Sequence, residues 1–238
     1  MIKTEAIVLH TIHYRDHSYI VHLFTREQGR INCLVKGSKQ KLALSPVLMQ
    51  PLSLIDIVLD NRANKTFQYI RESSPTSLLN TVPYDPIKNS IALFLSEILH
   101  KTLRESDKEN ALFDFVKESI LFFDTTTKGF ANFHLVFLIK MTYFLGFFPN
   151  LSQFHDGVYF DMLNSQFTEQ NNNPHTLNVG ETEAFAHLMR MDYDNMQIFS
   201  LSRNQRNTIL EHILTYYRLH LPEFGTVKSL DILQQLFA

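Results

Sequence analysis

Cysteine and glycine are scarce in this 238-residue chain, and each shortage closes off a class of function. The one cysteine, Cys33, excludes an intramolecular disulfide and any multi-cysteine zinc site, and it fits a reducing, cytoplasmic compartment. Seven glycines supply little for phosphate-cradling loops. The Walker loop, the dinucleotide glycine pattern, the GxSxG elbow and the HExxH helix are all absent, so the reading is that of a protein without enzymatic activity. The opening residues MIKTEAIVLHTIHYRD meet charge and histidine before any apolar run reaches the length of a secretion signal, so they are expected to belong to the fold. Residues 129–149, GFANFHLVFLIKMTYFLGFFP, are long enough to cross a bilayer. Lys140 near their middle, with Asn132 and His134 before it, would be costly in lipid, and the segment reads as a buried helix with no membrane partner.

What is present is core-forming material, 45% hydrophobic against 19% charged residues, enough for one large or two small domains. The net charge is only -2, yet it is unevenly spread. Residues 1–80 carry ten Lys and Arg against six Asp and Glu, whereas residues 81–238 carry twelve against eighteen. A basic module suited to an anionic partner therefore precedes an acidic one.

The runs EAIVLHTIHY, SYIVHLFTRE, RINCLVKGS, VLMQPLSLIDIVLD and KTFQYIRES are rich in β-branched and aromatic residues and are separated by turn-forming stretches. In RINCLVK, Ile31, Cys33 and Val35 share one face by the two-residue period. Five short strands without an intervening long helix predict a small closed barrel over residues 1–80, with the oligonucleotide/oligosaccharide-binding (OB) fold as the leading candidate. A junction at residues 75–85 leads into a mostly helical domain over 81–238, giving an α+β chain. Asp85 and Pro86 open the first helix, Ser106 and Glu109 have capping-box spacing for the second, and Ser202 and Gln205 repeat that spacing for a late one. SLDILQQLF makes a last short helix. The polar interval 149–180 holds a hairpin-like pair of runs, VYFD and QFTEQ, around MLNS.

The densest charge lies in REQGRINCLVKGSKQK, where Arg26, Arg30, Lys36, Lys39 and Lys41 face only Glu27. Lys and Arg in this pattern release counterions from a nucleic-acid backbone, and Arg15 and Lys65 extend the expected footprint at its margin. A solvated loop has the same composition, so charge alone leaves both readings open. Tyr14, Tyr19, Phe24, Phe67 and Tyr69 lie in the same module and could stack on bases, although most must fill the barrel. His10 and His13 would point to opposite faces of one strand, which disfavours a metal site there. His155, Asp156, Asp161 and His175 are a weaker metal alternative in the polar interval.

The order of these motifs resembles the RecO family of bacterial recombination mediators. Residues 5–41, EAIVLHTIHYRDHSYIVHLFTREQGRINCLVKGSKQK, are similar to the family's opening; LGFFPNL at 145–151 is similar to the segment before its zinc-binding region; GTVKSLDIL at 225–233 is similar to its C-terminal lysine-serine motif. The resemblance implies an N-terminal OB-fold, a helical domain and a nucleoid-associated, non-enzymatic mediator. Such a protein binds single- and double-stranded DNA, anneals complementary strands, engages the acidic tail of single-strand-binding protein, and with RecR helps load RecA. Many members place four cysteines after the GF-P segment, whereas Phe154 and Gly157 stand near the first pair here and the second pair is absent, so no zinc site or other cofactor is carried over. A tail of aspartates and apolar residues would need cations beside an apolar groove, and Lys101, Arg104 and Lys140 are the candidates. The alternative is an OB-fold and helical adaptor that binds protein or RNA without a repair role.

Overall fold

The computed structural model describes residues 1–15, 17–38, 41–60, 67–104 and 107–236, with the main chain alone at 37, 38, 41, 42 and 236. Two compact units divide it: Met1–Thr125 together with Val227–Leu236, and Thr126–Thr226.

In the first unit, strands β1 (Ile2–Arg15), β2 (Ser18–Thr25), β3 (Gly29–Ser38), β4 (Lys41–Leu42), β5 (Leu54–Asp60) and β6 (Tyr69–Ser77) form an antiparallel sheet in the order β4-β3-β2-β1-β5-β6. Alternation drives the pairing, since Ala6, Val8, Val21, Leu23, Ile31, Cys33, Val35, Ile55, Ile57 and Leu59 all turn to one buried face. Each Val, Leu or Ile among them stabilises the fold by about 1.5–3 kcal/mol on leaving water, before chain entropy is counted. Cys33 is fully buried among them, and burial pushes its thiol up to about 12.

The five long strands and their order are those of the OB-fold, with two corrections to the sequence reading. The sheet does not close into a continuous barrel. Between β3 and β6 the gap is spanned by a parallel bridge at Cys33 and Gln68, where Leu34 N donates to Gln68 O at 2.9 Å and Gln68 N to Asn32 O at 2.9 Å. In addition, VLMQPL is not strand: Pro46–Met49 make a 3-10 turn and β5 begins at Leu54, because Pro46 and Pro51 cannot donate to a ladder.

Helices α1 (Pro86–Thr102), α2 (Asn110–Thr125) and α6 (Leu230–Leu236) belong to this unit. The Asp85 carboxylate accepts from Ile87 N and Lys88 N at the start of α1, with Pro86 in the first turn, a cap that stabilises by about 1 kcal/mol. The expected capping residue Ser106 lies outside the described residues. At the far end, the Glu97 carboxylate of α1 accepts from Lys228 N at 2.9 Å and from Ser229 N and Oγ at 2.8 and 2.7 Å, which clasps the lysine-serine motif at the head of α6. Burial would raise the Glu97 carboxyl, but the bonds from Ser229 and Lys228 hold it below the usual carboxylate range.

The second unit centres on α3 (Phe133–Phe144), whose residues Phe133 to Ile139 are buried without a break. The apolar segment is thus a buried helix as expected but a shorter one, preceded by a 3-10 turn at Phe130–Asn132 and ended before Gly146, which sits at φ 82. No described helix is long and apolar enough to cross a membrane. Strands β7 (Tyr159–Asp161) and β8 (Gln166–Thr168) form the expected hairpin, with Phe160 opposite Phe167, and β9 (Thr176–Leu177) adds a third strand. Helices α4 (Val179–Met189) and α5 (Arg203–His220) both open with capping boxes, Asn178 with Glu181 and Ser202 with Gln205. On α5, Tyr217 OH donates to Leu138 O at 2.7 Å and Tyr216 OH to Ser165 Oγ at 2.7 Å, so the buried phenols are satisfied.

Candidate nucleic-acid interface

The strand register that buries Cys33 also defines the opposite, outer face of β1, β2 and β3. Arg15 pairs with Ser18 and Ser18 with Lys36, which sets Arg15 and Lys36 in one cross-strand row on either side of a small residue. Ile12, Ile20 and Leu34 form the next row, and His10, His22 and Asn32 the one after. Register shifts between Val8 and His10 and between His13 and Arg15 keep these side chains in step at the twisted end of the hairpin. Arg15 and Lys36 are exposed, and each lies against a ring: Arg15 at 5.2 Å from the centroid of Tyr14, and Lys36 Nζ at 5.5 Å from that of Tyr69. Tyr14 and Ile12 are themselves 49% and 43% exposed.

The remaining footprint residues divide. Arg26 is held by Glu5 at 2.8 Å and Asp114 at 2.5 Å and stacks over Phe113 of α2 at 4.7 Å, so its charge is balanced within the unit. The bond from Asp114 is the main cause of an Arg26 guanidinium raised above its usual range, and Lys117 completes the network on Glu5. Arg30 Nη1 reaches His100 O at 3.3 Å and Nδ1 at 3.4 Å. Lys41 stands in β4 opposite Ser38, and Lys39 and Lys65 lie outside the described residues. Of the candidate stacking rings, Tyr14 is open, Tyr19 packs on the barrel core with its edge to His13, and Phe24 is buried against Phe113.

Beside the outer face, the rings of His10, His22 and His100 gather at centroid distances of 4.5–5.8 Å, an assembly that sequence spacing does not reveal because His100 comes from α1. His22 Nδ1 lies 2.6 Å from Asn32 Oδ1. Burial, with His22 and Arg30 adding to it, lowers His100 to about 4, so its imidazole is neutral near pH 7.

Of the three cations named for an acidic tail, Lys101 sits 3.9 Å from Glu97 and Arg104 is exposed at the end of α1. Lys140 belongs to the other unit, where its ammonium lies over the Tyr193 ring at 5.7 Å. Of the four metal candidates, His155 and Asp161 are engaged in local structure. His155 Nε2 is 2.9 Å from Glu169, both well exposed, while the Asp161 carboxylate caps the turn that follows it by accepting from Leu163 N and Asn164 N at 2.9 and 3.1 Å and from the Asn164 side chain at 2.7 Å. Burial would raise Asp161, but the Asn164 and Asn173 bonds hold it low. Among the described residues no group of three or more His, Cys, Asp or Glu could hold a metal ion, so the donors that a zinc-binding region needs do not fit here.

An OB-type sheet that is not closed, followed by a helical unit, is an architecture shared by modules that bind oligonucleotides or oligosaccharides. Similarity to known proteins makes the assignment specific. Residues 1–79 match the family model described as "Recombination protein O N terminal", and residues 83–231 match "Recombination protein O C terminal". Relatives described as "DNA repair protein RecO" are 44% identical over 238 residues in Bacteroides fragilis, covering 99% of this chain and 98% of the relative. In Phocaeicola vulgatus the identity is 43%, with 99% of both chains covered, and in Flavobacterium psychrophilum it is 32%, with 100% and 99% covered. The chain belongs to the RecO family of DNA repair proteins.

Proposed function

We propose that this chain is a non-enzymatic recombination mediator that binds single- and double-stranded DNA, anneals complementary strands, and with RecR helps load RecA onto strands coated by single-strand-binding protein. The observation that supports the DNA contact best is the Arg15–Ser18–Lys36 row beside the exposed Tyr14 ring, since phosphates need cations in register and bases need an open π-face or apolar floor. Lys39, Lys41 and Lys65 extend this footprint, and Arg30 borders it. Arg26 enters it only by exchanging Glu5 and Asp114 for phosphate. Contact with the acidic tail of single-strand-binding protein is assigned to Lys101, Arg104 and Lys140, each acting with apolar surface of its own unit.

The test is a gel shift and annealing assay on strands coated with single-strand-binding protein, with salt varied. A mediator anneals coated strands and shows binding that weakens steeply with salt. Annealing no faster than that of uncatalysed strands, with no shift at low salt, would leave only the adaptor reading.

A further inference from the structure

We infer that the groove between the 3-10 turn at Pro46–Met49 and the connection from β6 to α1 is a docking site for a linear, uncharged segment of another protein, anchored by one large apolar side chain. All of its lining residues belong to the first unit. The rim is apolar and open: Val47 is 72% exposed, Leu78 67% and Tyr84 81%, and the three border one depression. Apolar side chains gathered in this way, with polar groups around them, mark protein contacts, whereas scattered ones do not. The polar groups are the exposed carboxamides of Gln50, Asn80 and Asn89. Each carboxamide both donates and accepts, which matches the N–H and C=O of a main chain that has no helix or strand partner of its own.

Charge and size decide the occupant. Among the described residues, no Lys, Arg, Asp or Glu lines the groove. Phosphates need cations in register and an acidic tail needs charge-assisted contacts, so neither is recognised here, whereas an uncharged segment enters without stranding a charge. The groove holds about 220 Å³, below the roughly 300–1,000 Å³ of pockets that take a whole small molecule, and it suits a single anchor side chain. Its wall is also held under strain. Leu52, between the lining residues Pro51 and Ser53, sits at φ +62, a conformation that a bulky side chain adopts only at a cost. Two bonds to β1 keep it there, Leu52 N donating to Val8 O at 2.8 Å and Val8 N to Ser53 O at 3.0 Å, while the Leu52 side chain is buried. Strain of this kind persists where the surrounding structure enforces it, and it gathers at ligand clamps. Pro51 and Ser53 are thereby fixed before any partner arrives, which lowers the ordering cost of binding. None of Arg15, Arg26, Arg30 and Lys36 lines the groove, so the inference stands apart from the DNA reading.

The experiment selects phage-displayed random linear peptides on the immobilised full chain, then measures the enriched peptide by fluorescence anisotropy with the native chain and with a Val47→Ser/Leu78→Ser variant. The expected consensus is uncharged with one large apolar residue, and the variant is expected to bind about tenfold more weakly, about 1.4 kcal/mol, with DNA affinity and the thermal transition unchanged. A charged consensus, no enrichment, or native affinity in the variant would overturn the inference. If the double variant melts early, Tyr84→Ser decides, because a side chain 81% exposed lies outside the core: the same loss there supports the site, and native affinity there overturns it. Dimerisation of the native chain at high concentration, abolished by Leu78→Ser, would assign the groove to a second copy and overturn the inference as well.

Discussion

Lys88 and Asp124 meet in one buried knot that ties α1 to the end of α2. Lys88 Nζ donates to Phe123 O at 2.9 Å and Asp124 O at 3.0 Å, while the Asp124 carboxylate receives Asn80 N, Thr81 N and Val82 N at 2.8–3.0 Å. Burial pulls the Lys88 ammonium below its usual range, with Asp124 and Asp85 opposing. Burial would raise Asp124, yet the three amides and Thr81 hold it low. Asp124→Ala leaves these three amides without their acceptor and removes the negative charge facing the Lys88 ammonium, whose carbonyl acceptors remain, and a loss of about 3 kcal/mol is expected. Urea unfolding of the full chain measures it. Because the Asp124 carboxyl is depressed in the folded state, its contribution is complete above its unfolded value near 3.8 and is lost as pH falls below that.

Gly29 should tolerate no side chain. At φ +62 it faces Asp107, whose carbonyl oxygen would lie 2.1 Å from an added Cβ. Gly157, at φ +89 with nothing within 4 Å, carries the conformational cost alone. Gly157→Ala is expected to lower stability by about 1–2 kcal/mol, and Gly29→Ala by clearly more. Thermal unfolding of the pair separates steric from backbone effects, and equal shifts would contradict the close approach.

His134 is fully buried on α3, and burial with Arg206 nearby lowers it from 6.5 to about 3. The unfolded chain therefore takes up a proton between pH 6.5 and 3 that the folded chain refuses. Stability from this group is complete above the unfolded value and drains away as pH falls toward the folded one. From neutral pH down to about pH 5 the loss is about 2 kcal/mol, and a His134→Phe chain should not show it. Denaturant titrations at those two pH values give the difference directly, and identical acid sensitivity in both chains would refute it.

Arg15→Ala/Lys36→Ala should lower the slope of log affinity against log salt by about two, one for each phosphate that the variant leaves unneutralised. Arg26→Ala should leave the slope near its native value while destabilising the fold, since Glu5 and Asp114 already balance that guanidinium. A slope change on Arg26→Ala as large as that on Lys36→Ala would move the footprint toward α2.

Chelation should leave the thermal transition of the full chain in place. Phe160 packs against Phe167 at 5.1 Å and against Phe185 at 5.0 Å, and Asp161 is committed to its own turn, so packing and turn bonds hold the hairpin. Stoichiometric zinc on elemental analysis, with loss of the transition on chelation, would reverse this and promote His155, Asp156, Asp161 and His175.

Strand periodicity makes the barrel face of Ile31, Cys33 and Val35 legible, and cap chemistry marks the starts of α1 and α5 at Asp85 and Ser202. Local patterns cannot show the partial closure, which depends on one long-range bridge at Gln68. Nor can they show the fate of Arg26, since Glu5 and Asp114 are distant in the chain and a balanced arginine reads the same as an open one. Helix α4 is hidden from the sequence although Asn178 and Glu181 carry the same capping spacing as Ser202 and Gln205, because the Asn-rich interval before it masks the signal. The change from strand to helix lies near residue 80, whereas compactness divides the chain at Thr125, since α1 and α2 pack on the sheet.

The clasp of Glu97 on Lys228 and Ser229 has a consequence for how the chain is made. A polypeptide emerging from the ribosome presents α1 about 130 residues before the segment that Glu97 holds. Until Val227–Leu236 has emerged, the unit begun by the first strand lacks its last helix, and Glu97 lacks the amides that hold its carboxyl low. Chains stopped short of that motif are therefore expected to leave the α6-facing side of α1 open to proteases that the finished unit resists.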